Sequence, residues 1–354
     1  MNYKEALSFI GRSLTLSQET ENRKLILEQI NSDQVDWDLI VKISTAHYVF
    51  PALYLNLSRA NFLSYLPDDL VAYMKHITDL NRERNRQIMT QAEEINRLLS
   101  QHDISPIFLK GTGFLLQGLY EDMGERMVGD IDFLVSKEDY EKAISLLEED
   151  GYSYVLKISY QSPATKHYPR IQKKGSIAAV EVHYEMTVGK YKQEFNYKVV
   201  ADTLKKNEKG SFLSWENQLV LTLIAIQIND YGQYYKTLSL RNGYDVFLLS
   251  KKVDSLQAIR RYSLLFQPLN QFLSLTQLVF NTKSIVFESN AKNDQSLEVS
   301  KRILSDENFR KKHYKKTARR LYFKSRMQII LQAFVKKEYR YWLYKRVTDS
   351  SRKK

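Results

Sequence analysis

Residues 107–135 read IFLKGTGFLLQGLYEDMGERMVGDIDFLV. A short apolar run leads to a turn with Gly111 and Gly113, an apolar helical segment and a polar loop. A second apolar run then carries Asp130 and Asp132. Side chains alternate along a strand, so these two carboxylates share one face while Ile131, Phe133 and Val135 fill the other. Two like charges side by side are costly unless a cation sits between them. A divalent metal meets that need, and hard carboxylate oxygens suit Mg²⁺. The stretch therefore reads as the metal and phosphate site of an enzyme. Gly111 and Thr112 open the helix. Backbone N–H groups there take up phosphate, Gly permits close approach, Thr112 adds a hydroxyl and Gly113 loosens the turn. The spacing is not that of a P-loop, and Leu116 stands where Gly-x-Gly-x-x-Gly needs its third glycine.

Working outward, the segment Ala178–His183 reads AAVEVH, an apolar strand with one acid, Glu181. A buried lone acid is costly without a partner. A metal would explain Glu181, and so would a salt bridge. His183 falls on the same face, where it orients Glu181, touches a nucleotide, or serves as a hydrogen-bonded structural residue. His167 and His183 lack the spacing of a zinc motif. Lys110 and Arg126 are the cations near the acids. Either holds a triphosphate or neutralises the acids without metal. Arg126, in the loop just before the acid strand and capable of bidentate contact, is the better phosphate candidate. Glu121, Asp122 and Glu125 in that loop read as solvated.

Taken together, Lys110-Gly111-Thr112, Arg126, Asp130-Ile131-Asp132 and Glu181-Val182-His183 resemble the DNA polymerase β-like nucleotidyltransferase superfamily. Within it they are most similar to the uncharacterised nucleotidyltransferase family of bacteria. The motif-bearing likeness covers roughly residues 100–190. The wider superfamily usually has Gly-Ser at the turn and a shorter gap to the first acid, whereas seventeen residues separate Thr112 from Asp130 here. The resemblance implies that Asp130 and Asp132 bridge two Mg²⁺ ions. It makes Glu181 the third metal-binding and catalytic carboxylate, on the nucleophile side. Lys110, Gly111, Thr112, Arg126 and His183 then contact the nucleoside triphosphate, ATP or another. The superfamily's acceptors include tRNA ends, proteins, antibiotics and other small molecules.

The expected fold class is α+β: a small mixed sheet forming the nucleotidyltransferase core, flanked by all-helical regions. The expected divisions are helices over 1–100, the core over 101–200, helices over 201–300 and a basic helical tail over 301–354. Ser32 and Asp33 are candidate caps for the helix carrying Trp37. His47 and His76 read as packed or surface histidines. The core is expected to contain strands at Ile107–Leu109, Val128–Val135, Tyr152–Ile158 and Ala178–Met186. Polar Gln161–Gly175, with Pro163, Pro169 and four Lys/Arg, reads as a loop or mobile hairpin. Asp245, in a helical run over 238–252, is either a buried structural acid or one that approaches the site.

Composition bounds the rest. Hydrophobic residues at 43% and charged residues at 27% fit a folded globular chain rather than a disordered one. No cysteine occurs, which suits a reducing cytoplasm. The N-terminus lacks the pattern of a signal peptide, and the longest apolar segment, Leu219–Ile228, is too short to span a bilayer. The net charge of +12 is uneven. Residues 310–354 hold 17 Lys/Arg against Glu338 and Asp349, leaving 36 basic and 39 acidic residues elsewhere. Such a tail suits a polyanion: RNA, which it slightly favours, DNA or an anionic membrane surface. A terminal helix packed by its apolar face is the plainer reading. A catalytically silent protein that uses the tail to bind RNA or membrane is the rival to the enzyme.

Overall fold

The computed structural model describes residues 1–155, 163 and 165–348. Five helices come first: α1 (Tyr3–Ser13), α2 (Thr20–Asn31), α3 (Trp37–Ala46), α4 (Phe50–Arg59) and α5 (Asp68–Ser100). Asn2 and Glu5 close a reciprocal capping box at the start of α1, whose Ala6, Leu7, Phe9 and Ile10 are buried. Asp36, not Ser32 or Asp33, caps α3: its carboxylate accepts from the Leu39 N–H at 3.0 Å. Ser32 instead ends α2. Pro51 lies in the first turn of α4, where its missing N–H costs nothing.

His47, just after α3, accepts a hydrogen bond from the Leu240 N–H at 3.3 Å through Nδ1. Burial pushes its pKa down from 6.5 to about 4. The unfolded chain therefore binds a proton there before the folded chain does. Its contribution is complete above pH 6.5 and is lost as pH falls towards 4, up to ~3 kcal/mol in all. Urea unfolding at pH 7 and pH 4.5 checks this. The His47→Gln variant is expected to lose less stability over that interval than the wild type.

The middle of the chain builds one sheet. In order come β1 (Ile107–Phe108), α6 (Lys110–Gln117), β2 (Ile131–Leu134), α7 (Tyr140–Glu149), β3 (Tyr152–Tyr154), β4 (Ile171–Lys173), β5 (Val180–His183), α8 (Tyr197–Ala201), β6 (Lys205–Asn207) and β7 (Gly210–Phe212). The seven strands lie in the order β3-β4-β5-β2-β1-β7-β6. Strand β2 runs parallel to β5 and antiparallel to β1, which runs parallel to β7, so the sheet is mixed as expected. Ile107, Phe108, Ile131, Phe133, Val180 and Val182 are all buried at its centre.

Two stretches differ from expectation. The polar segment 161–175 contains β4, which pairs with both β3 and β5. Part of the expected strand Tyr152–Ile158, and part of that polar segment, lie outside the described residues. The hairpin β6–β7 was not anticipated, because β6 is fully exposed and reads Lys-Lys-Asn, a charged edge strand without apolar alternation.

The chain then returns to helix: α9 (Trp215–Ile224), a π-helical turn (Ala225–Asn229), α10 (Gly232–Tyr235), α11 (Leu240–Ser250), α12 (Ser255–Arg260), α13 (Ser263–Phe280), α14 (Ala291–Ser305), α15 (Glu307–Val335) and α16 (Lys337–Thr348). One continuous apolar core joins the N-terminal helices, the sheet and α9–α14. The architecture is α+β, mostly helical with the sheet in the middle. Among the described residues no helix is long and apolar enough to cross a membrane.

Candidate active site

The register of β2 against β5 builds the site. Asp132 pairs with Glu181, and Leu134 with His183. Parallel neighbours in register project to the same side, so Asp132 and Glu181 stand next to each other and His183 follows two residues on. His183 Nε2 lies 2.9 Å from Asp132 Oδ1 and 3.5 Å from Glu181 Oε2. One ligand atom from each of the three residues falls within 4.8 Å of the others. Asp130, one residue ahead of β2, is ion-paired with Arg170. The Arg170 Nε also donates to Glu181 at 2.9 Å. Lys110 Nζ donates to Asp132 Oδ1 at 2.6 Å. Arg170 thus joins Asp130 to Glu181, Lys110 holds Asp132, and His183 links Asp132 to Glu181.

The turn into α6 is tied to the acid strand. The Leu109 N–H donates to the Asp132 carbonyl at 2.9 Å, and the Thr112 hydroxyl donates to the Asp130 carbonyl at 3.1 Å. Between them Lys110 takes φ 51°, a left-handed conformation that is uncommon outside glycine. The turn thereby carries both the ammonium that meets Asp132 and the first amides of α6. Gly113 has a packing reason: a Cβ there would sit 2.5 Å from the Phe108 carbonyl oxygen. The expectation that Gly113 merely loosens the turn gives way to this contact.

The charges hold each other in place. Burial pushes the Asp132 carboxyl up, but Lys110 and His183 more than offset it and keep it well below the usual carboxylate range. Burial likewise raises Glu181, yet the His183 hydrogen bond helps bring it down overall. Asp130 stays raised: burial outweighs Arg170, and the charges of Glu181 and Asp132 add to it. Burial lowers Lys110, but the charge of Asp132 reverses the sign. Two groups not singled out from the sequence share this field. Lys166 is lowered by burial and by Lys110, and Asp230, which ends the π-helical turn, is raised by burial against Lys166 and Lys110.

Arg126 departs from the sequence reading. It is buried, 2.9 Å from Asp245, and its guanidinium donates to the Met127 carbonyl at 2.9 Å. The Tyr120 hydroxyl donates to the same Asp245, so Asp245 is a buried structural acid. The guanidinium beside the acids belongs to Arg170. Glu125 is not solvated either: it is buried, paired with Arg59 at 2.6 Å and hydrogen-bonded by the Tyr244 hydroxyl at 2.5 Å. From α5, the Asn81 and Asn85 amides donate to carbonyls of Met123, Gly124 and Arg126, and Arg82 pairs with Asp122. The N-terminal helices therefore clamp the loop that delivers the acid strand.

The donor set suits a divalent cation. Two carboxylates and an imidazole nitrogen converge, a third carboxylate stands beside them, and the guanidinium of Arg170 meets two of the acids, where a metal's charge would serve. No functionally curated protein matches the sequence. Among solved structures, JHP933 from Helicobacter pylori is similar over 69% of this chain and 97% of that one, at 13% identity and a TM-score of 0.31. Residues 33–281 match the family model described as uncharacterised nucleotidyltransferase, and the chain belongs to that family.

Proposed function

We propose that the protein transfers a nucleoside monophosphate from a nucleoside triphosphate, ATP or another, to an acceptor hydroxyl. The observation that carries this reading is the in-register pairing of Asp132 with Glu181, beside the first turn of α6. Asp130, Asp132 and Glu181 would hold Mg²⁺, with two ions expected. Bound there, it supplies a charge clamp for the attacking and leaving oxygens. The acceptor oxygen bonds to the α-phosphorus, the bond from that phosphorus to the bridging oxygen breaks, and pyrophosphate leaves with the electron pair. Glu181 takes the hydroxyl proton.

The chain's other residues position the donor. The amides at the start of α6, from Gly111 and Thr112, receive phosphate oxygens. Lys110 and Arg170, held by the acids here, turn to the triphosphate once those acids have another cation. His183 braces Asp132 and Glu181 from within the sheet. Arg126 serves this reading by shaping the loop before the acid strand rather than by touching phosphate. The acceptor is a hydroxyl of RNA, protein or a small molecule, and the absence of cysteine accords with a cytoplasmic setting.

The test is transfer of label from α-labelled nucleoside triphosphates with Mg²⁺, with and without total RNA or cell extract. The wild type is expected to label an acceptor, and the Asp130→Ala, Asp132→Ala double variant to label none. Equal behaviour of the two with every acceptor would overturn the claim that these acids make the chain an enzyme.

A further inference from the structure

We propose that the hairpin formed by α15 and α16 docks this protein onto an anionic phospholipid surface. The hairpin is rooted on the body by its first turns. Arg310 lies over the Tyr3 ring at 4.3 Å, His313 Nε2 is 3.0 Å from the Tyr234 carbonyl oxygen, and Tyr314 packs edge-on against Tyr235 at 5.8 Å. Beyond Tyr322 the helix changes character. Phe323, Met327, Ile330, Leu331 and Phe334 recur at helical spacing on one face, with Val335 beside them, and all are 54–80% exposed except Ile330 at 52%. The inner side is already used, because α16 folds back along α15, with Ile329 and Ala333 half-buried and Trp342 buried. What remains in water is a broad apolar face rather than scattered residues, and such a face marks an interaction surface.

Charge decides the occupant. Lys324, Lys336, Lys337, Arg340, Lys345 and Arg346 lie on or between the same two helices, Lys324 over the Tyr234 ring at 5.5 Å and Arg346 over the Trp342 ring at 5.0 Å, within a segment that carries 17 Lys/Arg against two acids. A second copy of the chain would bring two such cationic hairpins together, which like-charge repulsion opposes. A nucleic acid would use the cations and stack on Phe323 or Tyr341, but would leave Met327, Ile330, Leu331 and Val335 in water. A bilayer rich in anionic lipid uses both features: headgroups meet the Lys and Arg side chains of the two helices while the apolar face sinks below the headgroups. No helix among the described residues is able to span, so the hairpin lies in the interface plane. The root on α10 lies a few residues past Asp230, so the attachment is close in sequence to a group that shares the field of the candidate site.

The experiment is co-sedimentation of the full chain with vesicles of phosphatidylcholine, with and without phosphatidylglycerol. Binding is expected only with phosphatidylglycerol. The Leu331→Asp, Phe334→Asp variant, altered on solvent-facing positions, is expected to lose about tenfold or more in partitioning. Lys336→Glu with Lys337→Glu weakens it as well, and both variants keep the wild-type circular dichroism. Three results overturn the proposal. One is no binding to either vesicle, or binding unchanged in both variants. Another is binding of single-stranded RNA that the Leu331→Asp, Phe334→Asp variant loses while vesicles stay unbound, which assigns the surface to nucleic acid. The third is a concentration-dependent dimer broken by that variant, which assigns it to a second copy.

Discussion

Replacing Asp132 with Asn is expected to lower nucleotidyl transfer at least about 100-fold, since loss of an outer partner alone typically costs a metal site roughly 10–100-fold. Asp132 joins the turn of α6 to the second acid strand. It accepts from Lys110, faces His183 Nε2 and pairs in register with Glu181. The neutral amide keeps the shape but removes the charge that would hold a divalent ion. Calorimetry with Mg²⁺ or Mn²⁺ is expected to show the same loss without reference to any acceptor. Glu181→Gln is expected to behave alike in the rate and to keep more of the metal affinity, because Asp130 and Asp132 remain. A normal rate in Asp132→Asn would take the chemistry away from this strand.

The largest stability effect is expected at Arg126. Arg126→Met strands the Asp245 carboxylate in the core, and breaking a buried pair by removing one partner costs about 3–5 kcal/mol. Asp245→Ala is expected to cost a comparable amount. Joining Arg126→Met to Asp245→Leu recovers much of the loss, because no uncompensated charge remains. The Tyr120 hydroxyl still loses its acceptor, at about 1–3 kcal/mol, so recovery is incomplete. Urea unfolding of the three variants checks the series. Had Arg126 gripped phosphate, Arg126→Met would raise the KM for nucleotide and leave the unfolding midpoint in place.

These two sites also show what the sequence makes legible. Strand alternation is local, so placing Asp130 with Asp132, and Glu181 with His183, needs only the chain on either side of each residue. The mixed sheet followed in the same way from apolar runs separated by helical ones. Arg170 was hidden because Pro169 and the polar residues around it read as a loop, and Ile171, buried between Arg170 and Gln172, is a single apolar position. Arg126 and Glu125 read as phosphate-facing and solvated for a different reason. Their partners, Asp245, Arg59 and Tyr244, lie far off in the chain and reach the loop only through helix packing. Asn81 and Asn85 likewise read as the polar side of a long helix, though their amides are spent on buried carbonyls. The helical hairpin was legible as basic and aromatic, but only its fold shows which apolar residues stay uncovered.

The most direct measurement of the central claim is a crystal structure with Mg²⁺ and a non-hydrolysable nucleoside triphosphate. The account predicts metal density at Asp130, Asp132 and Glu181, phosphate oxygens on the first amides of α6, and the Arg170 side chain turned from Asp130 and Glu181 to the triphosphate. A nucleotide bound elsewhere, with Arg170 still joined to both acids and no metal between them, would contradict it.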